Sequence, residues 1–177
     1  MFNYLKKKNI KKAYLKSISF SFKKKIIYLV PIGNWILKSN KIIRSVNKHR
    51  LINNKCFIDE IDNNLSKTRK YFKKIINDKE MCLFIISSSS KRFYGVIGLK
   101  KIKNSFEVYF VLKLRKNNLF NVSLKKMISW AKINFKIEKF IVSVFSNNYR
   151  AKKLYFNFGF RNNSKAYLKK IKKNGLN

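Results

Sequence analysis

The stretch from Phe140 to Phe160 constrains the fold more than any other part of the chain. Phe140 to Phe145 is an apolar run of strand length. Asn147 or Asn148 follows, able to accept from the free N–H groups that open a helix. Ala151, Leu154, Tyr155 and Phe158 then fall at i, i+3, i+4 and i+7, so they share one helical face. Gly159 stands where a left-handed residue ends a helix. The segment therefore reads as a buried strand, an Asn-led turn, a short helix and a glycine stop. One phenol, that of Tyr155, points from the helix towards whatever lies beside the strand. Periodicity alone describes an ordinary core helix equally well.

The rest of the chain supplies a context. Ile26 to Val30 reads as a first strand, stopped near Pro31-Ile32-Gly33. Trp35 to Ile52 has roughly helical spacing and predicts one bent helix. Residues 53–64 form a polar connection holding Asp59, Glu60 and Asp62. A second helix starts at Asn64 or Ser66, turns Leu65, Thr68, Phe72, Ile75 and Ile76 inward, and ends at Asn77-Asp78. The period then changes to three short β-rich runs: Cys82 to Ile86, Phe93 to Leu99 and Phe106 to Leu112. Phe120, Leu124, Met127, Ile128, Ala131 and Phe135 mark a long amphipathic helix. A last strand pair is expected around Phe160 and Ala166 to Ile171. The order β-α-α-β-β-β-α-β-α-β-β is an α+β layout, a central mixed β-sheet flanked by helices. It occupies residues 26–177. Residues 1–25 are a lysine-rich arm, read as a poorly ordered extension or an extra basic helix.

With 177 residues, 46% of them hydrophobic, the chain can fill one core. Forty-three Lys and Arg against seven Asp and Glu give a net charge of +36, which attracts polyanions and anionic small molecules over long range. Nucleic acid is one such partner, since aromatics interleave with the lysines. No zinc-ligand spacing or RNA-binding aromatic motif accompanies them, and the lysines are spread along the whole chain. Nucleic acid is thus expected to bind only non-specifically, by charge. Cys56 and Cys82 lack a paired motif, in keeping with a reducing cytoplasm. His49 is the single histidine and has no cluster around it, so no metal site is expected. No apolar run approaches the roughly 20 residues that span a bilayer, and Ser17 to Phe22 does not supply a secretory signal.

The motif N-x-x-A-x-x-L-Y-x-x-x-G-F, from Asn148 to Phe160, resembles the signature of the GNAT acetyltransferases, the Gcn5-related N-acetyltransferase superfamily. The element order is similar to the whole GNAT fold over roughly residues 26 to 171. Within the superfamily, the chain resembles enzymes that acetylate the amino group of a nucleotide-linked amino sugar, as in pseudaminic acid synthesis. The residues behind this are Ile43 to Arg50, Tyr94 to Leu99, Phe106 to Phe110 and the Asn148 motif. The ribosomal-protein N-terminal acetyltransferases share much of the pattern.

The resemblance implies acetyl-CoA as co-substrate and assigns roles. Asn148 contacts the acyl-CoA arm, or serves as helix cap, or both. Tyr155 donates a proton to the departing CoA thiolate, or packs on the sheet as a plain core tyrosine. Backbone N–H groups near Val111 and Leu112, on a strand that splays from its neighbour, would hold the thioester carbonyl. The pyrophosphate loop falls on Arg115-Lys116-Asn117-Asn118-Leu119-Phe120-Asn121, with Asn118 and Phe120 where the family carries small residues. Asn tolerates left-handed geometry, whereas Phe120 would crowd a phosphate. Either Arg115 and Lys116 compensate by direct contact, or cofactor binding is weakened. Arg44, Asn47 and Arg50 would line the acceptor cleft, or form a solvated basic face. From the residues alone, Glu107 is the single carboxylate in the central strands: a base for the acceptor amine, or an exposed partner of a lysine. Tyr109 and His49 stand in reserve. The function so implied is N-acetyl transfer to a small, anionic amine. The alternatives are transfer to a protein N-terminus and a catalytically silent domain that binds polyanions by charge.

Overall fold

The computed structural model describes residues 1–52, 64–113, 118–145, 148–161 and 166–171. Seven strands make one sheet among these residues, lying side by side in chain order. They are β1 (Ile18–Phe22), β2 (Lys25–Pro31), β3 (Met81–Ser88), β4 (Phe93–Ile102), β5 (Ser105–Lys113), β6 (Phe140–Phe145) and β7 (Ala166–Ile171). The first five are antiparallel neighbours, and β5, β6 and β7 run parallel. Parallel strands need a crossover, and α4 (Leu119–Phe135) and α5 (Tyr149–Asn157) provide the two. Both crossovers step the same way along the sheet, so both helices cover the same face. The opposite face carries α1 (Ile10–Tyr14), a 3-10 turn over Asn34–Lys38, α2 (Asn40–Ile52) and α3 (Leu65–Asn77). The α+β class and the mixed sheet flanked by helices are as expected.

Strand β3 shows why the core divides in two. All eight of its residues are buried, as a central strand covered on both faces requires. Cys82, Phe84 and Ile86 enter the layer under α4 and α5, while Met81, Leu83 and Ile85 enter the layer under α2 and α3. The long helix α4 turns Phe120, Leu124, Met127 and Ala131 inward, the stripe its period predicts, and adds Leu119 and Ser123. Helix α3 buries Thr68, Phe72, Ile75 and Ile76, and Asn64 caps it by accepting from the Ser66 N–H at 2.8 Å.

Three expectations are revised. Residues 1–25 are built into the fold rather than standing off as an arm. Phe2 is fully buried against Phe106 and Phe135, Leu5 and Ala13 are buried, and β1 extends the sheet by pairing with β2. Lys6 donates to the carbonyls of Ile75 and Asp78, the exposed C-terminal end of α3 where the helix dipole favours a cation. Trp35 to Ile52 is not one bent helix: the chain leaves helical geometry at Ser39, between the 3-10 turn and α2. Finally, Phe160 lies in no strand. It closes the end of α5, and β7 joins β6 in parallel rather than pairing with a strand at Phe160.

Candidate active site

The sheet opens where β5 leaves β6. Gly98 pairs with Tyr109 and Val96 with Leu112, so three steps on β5 match two on β4: β5 carries an extra residue, a bulge at Phe110–Val111. On its other side β5 pairs with β6 only at Phe106↔Phe140 and Glu107↔Ile141. Strand β6 continues to Phe145, paired along its whole length with β7. Beyond Glu107 and Ile141 the two strands therefore part, in the middle of a sheet rather than at its edge. Backbone N–H and C=O groups on the facing sides of such a wedge lack the ladder partner a continuous sheet would give them, and they are able to take a ligand with amide groups of its own. Val111 and Leu112 lie on that diverging segment.

Helix α5 sets a phenol near the root of this wedge. The Asn148 side chain accepts from the Ala151 N–H at 3.0 Å and opens the helix. At its far end Gly159 takes φ 85°. The Gly159 N–H donates to the Phe156 carbonyl at 3.0 Å, and the Phe160 N–H to the Tyr155 carbonyl at 3.1 Å. These are the two bonds of a Schellman closure, and the hydrophobic contact that accompanies it is Phe160 edge-on to Tyr155, ring centroids 5.5 Å apart. The same glycine that stops the helix thus fixes the Tyr155 ring. Tyr155 is 4% exposed and shares its core layer with Phe120. Burial, and secondarily the negative charge of Glu107, hold its hydroxyl well above the usual tyrosine range. Glu107 is the carboxylate whose charge bears on the Tyr155 hydroxyl, and among the described residues that hydroxyl has no hydrogen-bond partner.

The first turn of α4 lies at the other end of the diverging strand. Asn118 is its N-cap residue with φ −75° and ψ −6°, so the left-handed geometry for which an Asn would be suited is not adopted, and its side chain does not cap. Phe120 sends its ring into the core. Asn121 Oδ1 and Ser123 Oγ, in the first five residues of α4, are buried without a hydrogen-bond partner among the described residues. Asn121 Oδ1 is an acceptor and calls for a donor such as water, not for an anion. What suits an anion here is the helix N-terminus itself, whose first turn carries no acidic residue. The residues present thus suit a polyanionic cofactor arm. Arg115, Lys116 and Asn117 lie outside the described residues.

The three residues expected to line the acceptor cleft separate. Arg44 is exposed on α2. Asn47 is buried and accepts from Thr68 Oγ at 2.7 Å, a bond that ties α2 to α3. Arg50 is 6% exposed, its guanidinium 4.6 Å from the centre of the Tyr71 ring. Tyr71 and Tyr109 hydroxyls are 3.0 Å apart. A chain of contacts thus runs from α2 through α3 to β5, ending two residues from Glu107. Tyr71 and Thr68 were not singled out as site residues in the sequence. Helical spacing showed Thr68 as an inward position, but nothing in the spacing told that its hydroxyl would engage Asn47. The solvated basic face expected as the alternative holds for Arg44 alone. His49 is pushed below its ordinary range by burial and by Lys48, which favours its neutral form. Among the described residues no three His, Cys, Asp or Glu side chains gather as a metal site, and no helix is long and apolar enough to cross a membrane.

The fold is similar to that of solved acetyltransferases, one of the GNAT family among them. The chain is similar to the spermidine N-acetyltransferase of Vibrio cholerae solved in complex with CoA and spermine, at 15% identity and a TM-score of 0.61, over 78% of this chain and 82% of that one. It is similar also to a probable GNAT-family acetyltransferase from Chromobacterium violaceum, at 12% identity and a TM-score of 0.63, over 76% and 70% of the two chains. A further probable acetyltransferase aligns at 16% identity with a TM-score of 0.61, over 78% and 91%. At these identities the likeness establishes the fold. No family model matches the chain, and no curated protein matches it in sequence.

Proposed function

We propose that the chain is an acetyl-CoA-dependent N-acetyltransferase acting on a small, negatively charged amine, with a nucleotide-linked amino sugar as the acceptor class. The observation that carries this reading is the parting of β5 from β6 with the Tyr155 phenol and the Glu107 carboxylate at its root. Acetyl-CoA supplies the activated thioester carbon. Backbone N–H groups of β5 near Val111 and Leu112 meet the negative charge that develops on the carbonyl oxygen as the amine attacks. Glu107 takes the proton that the attacking nitrogen must lose, directly or through a water. Tyr155 donates to the sulfur as the carbon–sulfur bond breaks, and regains its proton from Glu107, so that one proton passes in net from nitrogen to sulfur. A phenol raised above its usual pKa remains protonated throughout the working pH range. Transfer to a thiolate is uphill for such a phenol taken alone, and it is completed by the return of the proton that Glu107 took from the nitrogen. Asn148 caps α5 and, in this reading, contacts the cofactor arm.

Charge favours an anionic acceptor over a polyamine. The spermidine enzyme of similar fold acts on a polycation, whereas this chain carries a net charge of +36 and has Glu107 as the single carboxylate of its central strands. Such a surface lowers the local concentration of a polycation and raises that of an anion.

Thiol release from acetyl-CoA, measured with an amino-sugar nucleotide, spermidine and a basic peptide as separate acceptors, tests the proposal. Turnover is expected with the sugar nucleotide. Turnover on spermidine or on peptide alone would overturn the acceptor class, and absence of acetyl-CoA binding by calorimetry at millimolar cofactor would overturn the enzyme.

A further inference from the structure

The outward face of α5 plays no part in the chemistry above, and its composition is unusual. With 3.6 residues per turn, Tyr149 and Phe156 lie within about 20° of each other around the helix and about 10 Å apart along it. They face away from the side that buries Tyr155. Tyr149 is 75% exposed and Phe156 40%. Each ring has a cation over it: Lys152 Nζ lies 4.5 Å from the Tyr149 ring centre, and the Arg161 guanidinium 5.2 Å from that of Phe156. Arg161 is held there by donating to the Phe156 carbonyl at 2.6 Å and the Phe160 carbonyl at 3.0 Å. Arg150 and Lys153 are exposed on the same helix, and residues 148–161 contain no acid.

We infer that this face binds single-stranded nucleic acid, with nucleobases stacking on Tyr149 and Phe156 and backbone phosphates meeting Lys152, Lys153, Arg150 and Arg161. A cation over one face of a ring leaves the other face to a flat partner, and stacking on exposed aromatics between cations is how unpaired bases are held irrespective of sequence. A duplex hides its base faces and gives the rings nothing to stack on. The outward face has no aliphatic side chain to enter a membrane, since Leu154 and Ala151 turn inward. This is separate from the general attraction of a +36 chain to any polyanion, because the rings contribute without charge.

The test follows from that difference. Anisotropy of a fluorescent oligo-uridylate is titrated with the full-length protein over a series of salt concentrations, beside a Tyr149→Ala/Phe156→Ala variant that keeps every charge. The double variant is expected to bind about tenfold or more weakly at each salt concentration, with an unchanged slope of log affinity against log salt. Lys153→Ala should lower that slope by about one instead. A Tyr149→Phe/Phe156→Tyr variant, which keeps both rings, should bind like the parent. Equal affinity of the alanine variant and the parent would overturn the proposal, as would ring-dependent binding of a duplex of the same length. Ring-dependent binding of anionic vesicles without oligonucleotide binding would overturn it too. So would an equal loss of CoA affinity in the alanine variant, which would give the rings to the cofactor. Because both rings are largely outside the core, the thermal midpoint should hold, which separates lost binding from lost folding.

Discussion

Tyr155→Phe separates a functional hydroxyl from a structural one, because the geometry predicts unreduced stability beside a loss of turnover. The ring is buried and packs edge-on to Phe160, and phenylalanine keeps that contact intact. The hydroxyl has no hydrogen-bond partner among the described residues, and it is not one of the side-chain atoms that are both buried and unpartnered. Its removal therefore breaks no bond within the protein and recovers at most about 1 kcal/mol. For a chain of this length about 1 kcal/mol moves the thermal midpoint by roughly 2–4 °C, so the midpoint should stay level or rise by that amount. Turnover should fall by about a hundredfold or more, the usual worth of a positioned proton donor, or roughly 3 kcal/mol of barrier. The affinity for acetyl-CoA should be nearly unchanged, since the donor matters most when the sulfur carries charge.

The assay is thiol release under saturating cofactor, beside differential scanning fluorimetry and calorimetric titration of CoA on the same preparation. A loss of a few degrees in midpoint with unaltered kcat would identify Tyr155 as an ordinary core tyrosine and remove the acid from the mechanism. Equal losses in kcat and cofactor affinity would show a group that binds ground state and transition state alike.

Other expectations follow from single positions. Gly159→Ala forces a side chain into a left-handed conformation; nothing crowds a Cβ there, so the cost is the backbone's own, about 1–2 kcal/mol in urea unfolding, and Gly159→Asn should cost less. Gly98→Ala places a Cβ 2.8 Å from the Cys82 carbonyl oxygen and closer still to Leu83, so a loss of about 1–3 kcal/mol is expected, and an unaltered urea midpoint would contradict the close approach of β3 to β4. Burial pushes the Cys82 thiol up from 9.0 to about 12, against the smaller opposing effect of Lys6. The unfolded chain releases that proton first, so the thermal midpoint should hold below about pH 9 and fall above it. Cys82→Ala should make the fall shallower, and equal slopes for variant and parent would count against it.

Periodicity carried much of this fold. Strands β3, β4 and β5 were legible as short β-rich runs between turn residues, and helices α4 and α5 because apolar residues recur at a period of 3.6, with Asn148 and Gly159 marking the ends of α5 chemically. Most of the first 25 residues were not legible for the opposite reason. Phe2, Leu5 and Ala13 are scattered among lysines with no helical or strand period, and they are buried by contacts made far away in sequence, such as Phe2 on Phe135. The alternation Ile18-Ser19-Phe20-Ser21-Phe22 does carry the strand period of β1, and it was passed over. At the site, the family resemblance supplied Tyr155 and Asn148, and the lone carboxylate drew attention to Glu107. The fate of Asn47 could not be read, because a polar residue on a basic helix looks solvated until Thr68 is known to face it. Nor could the contact of Arg50 with Tyr71, which depends on how α2 and α3 pack.

A chain with 43 cations and seven acids cannot neutralise itself by ion pairs, and the structure uses other partners. Lys6 sits on the C-terminal carbonyls of α3. Lys23, Arg50, Arg92, Lys152 and Arg161 lie over the rings of Phe22, Tyr71, Tyr94, Tyr149 and Phe156. Aromatic faces thus take the place that carboxylates hold in an ordinary surface, each at about 0.5–1 kcal/mol where exposed. They relieve only part of the repulsion among the remaining lysines, which stays long-ranged at low ionic strength and is screened within about 10 Å at 0.1 M salt. Stability should therefore rise with sodium chloride, most steeply at low concentration, and level off once the screening length falls below the spacing of neighbouring lysines. Cation–π contacts at close range lose less to screening than the repulsion does, so they do not reverse the trend. A thermal midpoint that falls with salt would mean that short-range attractions dominate the native electrostatics, and that the aromatic partners contribute little beside ion pairs.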